Sequence, residues 1–349
     1  MRTGQPAGGR RDRDHRGASG PGAGVRGRFV TPRVAALGGG HGLAASLSAL
    51  RRLTEDLTAI VTVADDGGSS GRLRAEFGVL PPGDLRKALA ALCGDDEWGQ
   101  TWARVVQHRF ASSGPLHGHA VGNLLIVALW ELLRDQVTAL EWVGRLLGVR
   151  GRVLPMAGVP LDIEASVRGV DPARPDEITL VRGQAQVATT RGTVLSIRLL
   201  PENPPAVPEA VAAVRDAEWV VLGPGSWFTS VIPHLLVPEL ARALLETSAR
   251  RVVALNLAPQ PGETEGFSPQ KHLEVLRAHA PELRIDIVLA DVGVVKDRAG
   301  LARAAADLGA ELVLAPVAMD DGSPRHDPMR LAKAYDEIFA QCGFGQGRN

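Results

Sequence analysis

The first residues that could do chemistry are a run of glycines set directly after a short apolar segment. Val34-Ala35-Ala36-Leu37 leads into Gly38-Gly39-Gly40-His41-Gly42, and an amphipathic segment follows without a gap. That is how a β-strand passes through a tight turn into a helix. Glycines admit positive φ and let a ligand approach with no Cβ in the way. The first turn of the helix points free N–H groups and the positive dipole end back at such a turn, which suits a phosphate. The pattern is neither Gly-x-Gly-x-x-Gly nor a P-loop with its Lys-Ser/Thr, and taken alone it fits a plain tight turn equally well. A second stretch repeats the design: Ile60-Val61-Thr62-Val63 runs into Ala64-Asp65-Asp66-Gly67-Gly68-Ser69-Ser70-Gly71.

Two further stretches add candidates. Gly223-Pro224-Gly225-Ser226 follows the apolar run 219–222 and is a second seat for phosphate oxygens on backbone N–H groups. Asp65 and Asp66 suit a divalent cation bridging to a diphosphate, or ribose and sugar hydroxyls. Ser69, Ser70, Asn123 and Asn256 are neutral hydrogen-bonding residues of the kind that orient a sugar. His119 and Asn123 open a wholly apolar segment, 121–130, that reads as a buried helix. Its polar start faces either a ligand or buried backbone groups that these two side chains satisfy. Catalysis has less support. There is no Gly-x-Ser-x-Gly elbow, His117 and His119 have no third metal ligand at telling spacing, and Glu263 and Glu265 read as a solvated loop.

The elements that must carry these residues alternate. Strands are expected near 33–37, 57–63, 219–222, 252–256, 285–289 and 312–314. Helices are expected near 43–53, 84–93, 98–110, 208–214, 238–248, 269–279, 299–308 and 329–340. The stretch between 64 and 80 reads as a polar loop. Alternation of this kind predicts a Rossmann-like α/β fold, a mostly parallel sheet with helices on both faces. Between 153 and 200 the period changes to two, with turns at Arg182-Gly183 and Arg191-Gly192, so a small antiparallel β insertion is expected. The glycine-rich stretches all follow strands, at the carboxyl ends where open α/β sheets bind ligands. Together they predict one nucleotide-diphosphate or nucleotide-sugar crevice.

The chain has 349 residues, with 39 basic and 39 acidic side chains, so no net field points to nucleic acid or a membrane surface. Two cysteines, Cys93 and Cys342, suit free thiols in a reducing compartment. No apolar run is long enough to span a bilayer. Residues 1–32 are rich in Gly, Arg, Pro and Ser and read as a disordered basic tail. Residues 33–341 read as one α/β domain and 342–349 as a C-terminal tail.

Six motifs occur together and in order: Gly38 to Leu43, Thr62 to Leu73, Pro81-Pro82-Gly83-Asp84-Leu85-Arg86, Gly118 to Leu125, Gly223 to Ser226, and Gln260-Pro261-Gly262-Glu263-Thr264. In these the chain resembles the YvcK-type gluconeogenesis factors of bacteria, a family related to the CofD-like 2-phospho-lactate transferases. The resemblance covers about residues 33–340. It implies a cytoplasmic, Rossmann-like protein that binds UDP-N-acetylglucosamine and is needed for normal cell shape, cell-wall supply and growth on gluconeogenic carbon. The implied role is a ligand-sensing regulator without assigned catalytic residues. Arg325, in Arg325-His326-Asp327, sits where relatives place an arginine tied to nucleotide-sugar binding. Mg2+ accompanying the nucleotide, a homo-oligomer and contact with cell-wall precursor enzymes are compatible with that role. The chain departs from the family pattern at His41, Ala120, Gln184 and Phe228. The alternative is a transferase acting on a nucleotide-diphosphate donor, for which Asp65 or Asp66 would hold a metal ion.

Overall fold

A computed structural model describes residues 31–343. The expected tails, 1–32 and 342–349, fall almost wholly outside the described residues, although the last helix continues to Gly343. The elements run in the order β1 (Val34–Gly38), α1 (Gly40–Leu50), β2 (Leu57–Val61), α2 (Gly68–Phe77), α3 (Pro82–Leu92), α4 (Glu97–Gln107), α5 (Val121–Leu133), α6 (Gln136–Leu147) and β3 (Arg152–Pro155). An insertion follows: β4 (Asp162–Arg168), β5 (Ile178–Arg182), the single turn α7 (Gln184–Val187) and β6 (Thr193–Leu200). The chain then continues with α8 (Pro208–Asp216), β7 (Trp219–Leu222), a π-helical turn at Trp227–Val231 and a 3-10 turn at Ile232–Leu236. The remainder is α9 (Pro238–Glu246), β8 (Arg250–Ala254), α10 (Pro269–His279), β9 (Ile287–Asp291), α11 (Arg298–Ala306), β10 (Glu311–Ala315) and α12 (Pro328–Gly343).

Seven strands form one parallel sheet in the order β10-β9-β8-β7-β1-β2-β3. The chain builds outward from β1 to one edge, then returns to β7 and builds to the other. The strand order therefore reverses between β1 and β7, the switch point at which doubly wound sheets open a crevice. β1 and β7 are buried at every residue, as strands covered by helices on both faces must be. The expected α/β architecture with a small antiparallel sheet is the observed one.

Three local expectations are corrected. The stretch expected as a polar loop forms α2. Its Gly-Ser-Ser-Gly start carries no apolar period, yet Ser69, Ser70 and Leu73 are buried and Gly78 closes the helix in the left-handed region. Residues 152–155 belong to the main sheet, paired parallel to β2, so the antiparallel insertion begins at Asp162 and not near 153. A four-residue apolar strand has too little pattern to declare its partner. The apolar helix α5 is not buried all round, because Leu132 is 76% exposed. Between α5 and β3 the structure adds α6, capped by the Asp135 carboxylate, which accepts from Thr138 N at 2.6 Å, and closed by Gly148.

The turns at the switch point touch. A Cβ on Gly42 would lie 2.2 Å from the Pro224 carbonyl oxygen and 2.6 Å from Gly225 Cα. Behind them the buried Tyr335 of α12 donates to Ser46 Oγ at 2.8 Å, and Ser46 donates to the Gly223 carbonyl at 3.0 Å. Gly42→Ala is expected to force the two turns apart and to lower unfolding stability by about 1–3 kcal/mol. Urea denaturation of the parent and the variant checks this; an unchanged midpoint would show that the turns can separate freely.

Candidate functional site

A cleft of about 640 Å³ opens at the carboxyl ends of the strands, over the switch point. The β1–α1 turn forms its floor with Gly39, Gly40, His41 and Gly42. Gly39 is the N-cap of α1 and offers no side chain to the first turn. The N–H groups of that turn stay available to a ligand. Gly40 has φ of 62°, a conformation that favours glycine. A Cβ on Gly39 would meet Asp84 Oδ2 at 2.7 Å, so only a glycine lets α3 approach here.

Opposite this floor lies the β7 turn with Pro224, Gly225 and Ser226. Asn256, at the end of β8, locks it: Gly225 N donates to Asn256 Oδ1 at 2.9 Å and Asn256 Nδ2 donates to the Gly225 carbonyl at 2.7 Å. The Asn256 amide thus acts as an extra strand residue, and its sequence-expected role of orienting a sugar is already spent on the backbone. Ser226 donates to the buried carboxylate of Glu263 and also bonds Thr229.

The acidic wall differs from expectation. Asp65 lines the cleft, but Asp66 does not; its carboxylate accepts from Ala185 N at 2.9 Å and fastens the insertion to the main domain. The second cleft carboxylate is Asp84, at the start of α3, paired with Lys87 Nζ at 2.9 Å. Burial, with the Asp84 charge adding to it, pushes the Asp65 carboxyl above the ordinary aspartate range despite the Gly67 N–H and Ser70 contacts. Among the described residues no group of three or more His, Cys, Asp or Glu side chains gathers as a cation site. Two carboxylates beside a phosphate seat do match how Mg2+ is bound, by one or two carboxylates plus substrate phosphates. Asp65 and Asp84 are the residues that would hold it.

Of the other expected site residues, Ser69, Ser70, His119 and Asn123 lie behind the wall, outside the cleft lining. Ser69 Oγ is 3.0 Å from His119 Nδ1 and accepts from Asn123 Nδ2 at 3.0 Å. This buried knot joins α2 to the start of α5. Gly38 is the last residue of β1, and Gly223 lies beneath the lining. Arg325 does reach the cleft, on the loop after β10, beside Pro324 and His326. That loop is anchored by the buried Asp291 carboxylate, which accepts from Val317 N at 2.8 Å and Ala318 N at 3.0 Å. Arg325 is held by Asp321 at 2.7 Å and by Ser323. Burial lowers the His326 pKa to about 4, so its imidazole is neutral.

Sequence reasoning missed several lining residues. Lys87 stands one helical turn after Asp84, a spacing that could have flagged it. Glu263, expected on a solvated loop, is only 4% exposed, because the 260–264 turn closes on itself through Gln260 N and Thr264 Oγ1 at 2.8 Å. Gln184 and Ala188 bring the insertion to the cleft, a tertiary contact with no local signature.

Fold and site together define a doubly wound α/β protein whose switch-point cleft carries two glycine turns, three carboxyl groups and the cationic side chains of Lys87 and Arg325. Its sequence matches the family described as 2-phospho-L-lactate transferase CofD over residues 34–329. A candidate gluconeogenesis factor of Mycobacterium tuberculosis (strain ATCC 25618 / H37Rv) is 55% identical over 315 residues, covering 89% of this chain and 92% of the relative. The gluconeogenesis factor of Listeria monocytogenes serovar 1/2a is 36% identical over 317 residues, covering 87% of this chain and 94% of that one. A crystal structure of a UPF0052 family member from Bacillus halodurans superposes with a TM-score of 0.77 at 31% identity, covering 88% of this chain and 99% of that one. The chain belongs to the CofD family, among the gluconeogenesis factors.

The acidic wall generates a pH prediction. A carboxyl whose pKa rises on folding contributes stability that is complete below its unfolded pKa and is lost as pH rises through the folded value. Asp65→Asn removes that loss. The variant is expected to melt above the parent near about pH 8, with the gap closing towards about pH 3, below the unfolded aspartate pKa, where the parent carboxyl is protonated in both states. Thermal unfolding across pH tests it. A variant that melts below the parent at every pH would mean that the Asp65 charge stabilises the wall.

Proposed function

We propose that the protein binds a nucleotide sugar, UDP-N-acetylglucosamine, in the switch-point cleft and acts as a cytoplasmic regulator of carbon flux between gluconeogenesis and cell-wall precursors, with consequences for cell shape. The observation that carries the reading is the convergence of two glycine turns over one crevice. The open first turn of α1 meets the Gly225-Ser226 turn, so a diphosphate could take backbone N–H groups of α1 together with the Ser226 N–H, the Gly225 N–H being held by Asn256. Lys87 and Arg325 line the same cleft and are the cations that could turn from Asp84 and Asp321 to the phosphates. A cleft of about 640 Å³ is within the range that holds a ligand of nucleotide-sugar size. The choice of UDP-N-acetylglucosamine among such ligands rests on the resemblance of the six motifs. The link to gluconeogenesis rests on that resemblance and on the names of the relatives. Among the described residues no single helix is long and apolar enough to cross a membrane.

One observation favours a second reading. Asp65 and Asp84 lie beside the phosphate seat, where a Mg2+ ion would serve group transfer from a nucleotide diphosphate. Calorimetric titration separates the two. Saturable heat with UDP-N-acetylglucosamine, little with GDP or UDP-glucose, and recovery of the ligand intact are the expected results. Magnesium-dependent preference for GDP with turnover would instead establish the transferase. Arg325→Ala is expected to weaken binding by about tenfold or more, the loss of one charge-assisted contact. Unchanged affinity in that variant would remove Arg325 from the site.

A further inference from the structure

One carboxyl group sits where an anionic ligand needs donors. Glu263 lines the cleft beside Gly225 and Ser226, yet it is 4% exposed and its Oε1 atom has no hydrogen-bond partner. The Ser226 hydroxyl donates to its other oxygen, and the Thr229 hydroxyl and the Phe228 and Thr229 N–H groups face it as well. The 260–264 turn fixes it there, because Thr264 N donates to the Gln260 carbonyl at 3.0 Å and Gln260 N donates to Thr264 Oγ1. No cationic side chain occurs in the π-helical turn, in residues 256–262 or in residues 188–189; α10 carries the buried His272, with Lys271, Arg277 and His279, the last lying against Phe228. The other titratable groups on the cleft are His41, Asp65, Asp84, Lys87, Arg325 and His326.

An ionised Glu263 and a phosphate on Gly225-Ser226 would be two like charges competing for one serine hydroxyl. We propose that ligand binding is proton-linked at Glu263: the carboxyl takes a proton from solvent as the anionic ligand arrives, and the Ser226 hydroxyl turns from Glu263 to the phosphate. The inference rests on the diphosphate reading of the cleft. Burial already pushes this carboxyl above the usual glutamate range. The bound anion raises the Glu263 pKa further. Affinity is therefore highest below the pKa of the free protein and falls, by up to about tenfold per pH unit, between the free and bound values.

The test is calorimetry of the full chain with UDP-N-acetylglucosamine, in buffers of unequal ionisation heat, between about pH 5.5 and 8.5. The parent is expected to take up close to one proton somewhere in that range, with affinity falling as pH rises. Glu263→Gln keeps the shape of the side chain and is expected to bind with a flat pH profile and no uptake. Asp65→Asn tests the other raised carboxyl on the cleft: loss of the uptake in that variant assigns the proton to Asp65 and overturns the inference. Binding by the parent without proton uptake overturns the inference and leaves the functional reading standing, whatever the folding of the variant. A folded Glu263→Gln that keeps the uptake also overturns it. Absence of any binding by the parent brings down the functional reading and this inference together.

Discussion

The whole site depends on the contact between two turns, Gly42 against Pro224 and Gly225. It exists because β1 and β7 are neighbours in the sheet although 180 residues separate them in the chain. Strand order places the first turn of α1 and the Gly225-Ser226 turn face to face. The missing Cβ at residue 42 lets them close to van der Waals distance. Everything else on the rim is braced against that contact. Asn256 pins the β7 turn from β8, Ser46 and Tyr335 hold it from α1 and α12, and Thr62 Oγ1 reaches across from the end of β2 to the Ser230 carbonyl at 3.0 Å. The bracing groups are buried hydrogen-bonding side chains, which resist displacement because an unpaired partner would carry its full desolvation penalty.

The electrostatics of the cleft follow from the same packing. A helix start that welcomes anions is set beside two carboxylates, a combination that repels the ligand it attracts unless something intervenes. Lys87 answers for Asp84 at 2.9 Å. Asp65 has no such partner; burial and the Asp84 charge both disfavour its ionised form. Glu263 lines the same cleft with the Ser226 and Thr229 hydroxyls and the Phe228 and Thr229 N–H groups beside it. The cleft thus holds two carboxyl groups, Asp65 and Glu263, whose ionised forms burial disfavours, and on the proposed reading a proton, a cation or Arg325 would offset their charge when a diphosphate binds. Structures bear such a cost at functional sites, where local rules of polar satisfaction are broken.

How much of this was legible in the sequence divides by the range of the contacts. The strand-turn-helix at Gly38 to Gly42 and the Gly223-Pro224-Gly225-Ser226 turn are local, and the sequence placed them at strand ends. Alternation gave the parallel sheet. α2 was not legible, because Gly68 to Gly71 has no apolar period and the helix is held by tertiary burial of Ser69 and Ser70. β3 was misassigned to the insertion because four apolar residues do not reveal which neighbour they pair with. The neighbouring aspartates 65 and 66 looked equivalent, yet at the end of a strand consecutive side chains diverge, one into the cleft and one to Ala185 of the insertion. The knot of Ser69, His119 and Asn123 shows the converse. Its members have the chemistry of a sugar site, but they spend it on one another.

That Asp66 contact gives the insertion its place in the site. The carboxylate holds Ala185 N at the start of α7, while Gln184 and Ala188 line the cleft next to the loop that bears Glu263. A Cβ on Gly262 would lie 2.5 Å from the Ala188 carbonyl, so the 260–264 turn and the insertion are packed backbone to backbone. Any ligand that displaces Glu263 therefore pushes on the insertion as well as on the β7 turn. The insertion is a separate three-stranded sheet whose inner face joins the main core through Ile163, Ala165 and Val167, and β5 at its edge leaves Ile178 and Leu180 more than half exposed. Under the proposed regulatory reading, a bound ligand would have to show on this surface. The cleft and this sheet are linked at two places: through Asp66, next in the chain to the cleft residue Asp65, and through Gly262, next to Glu263.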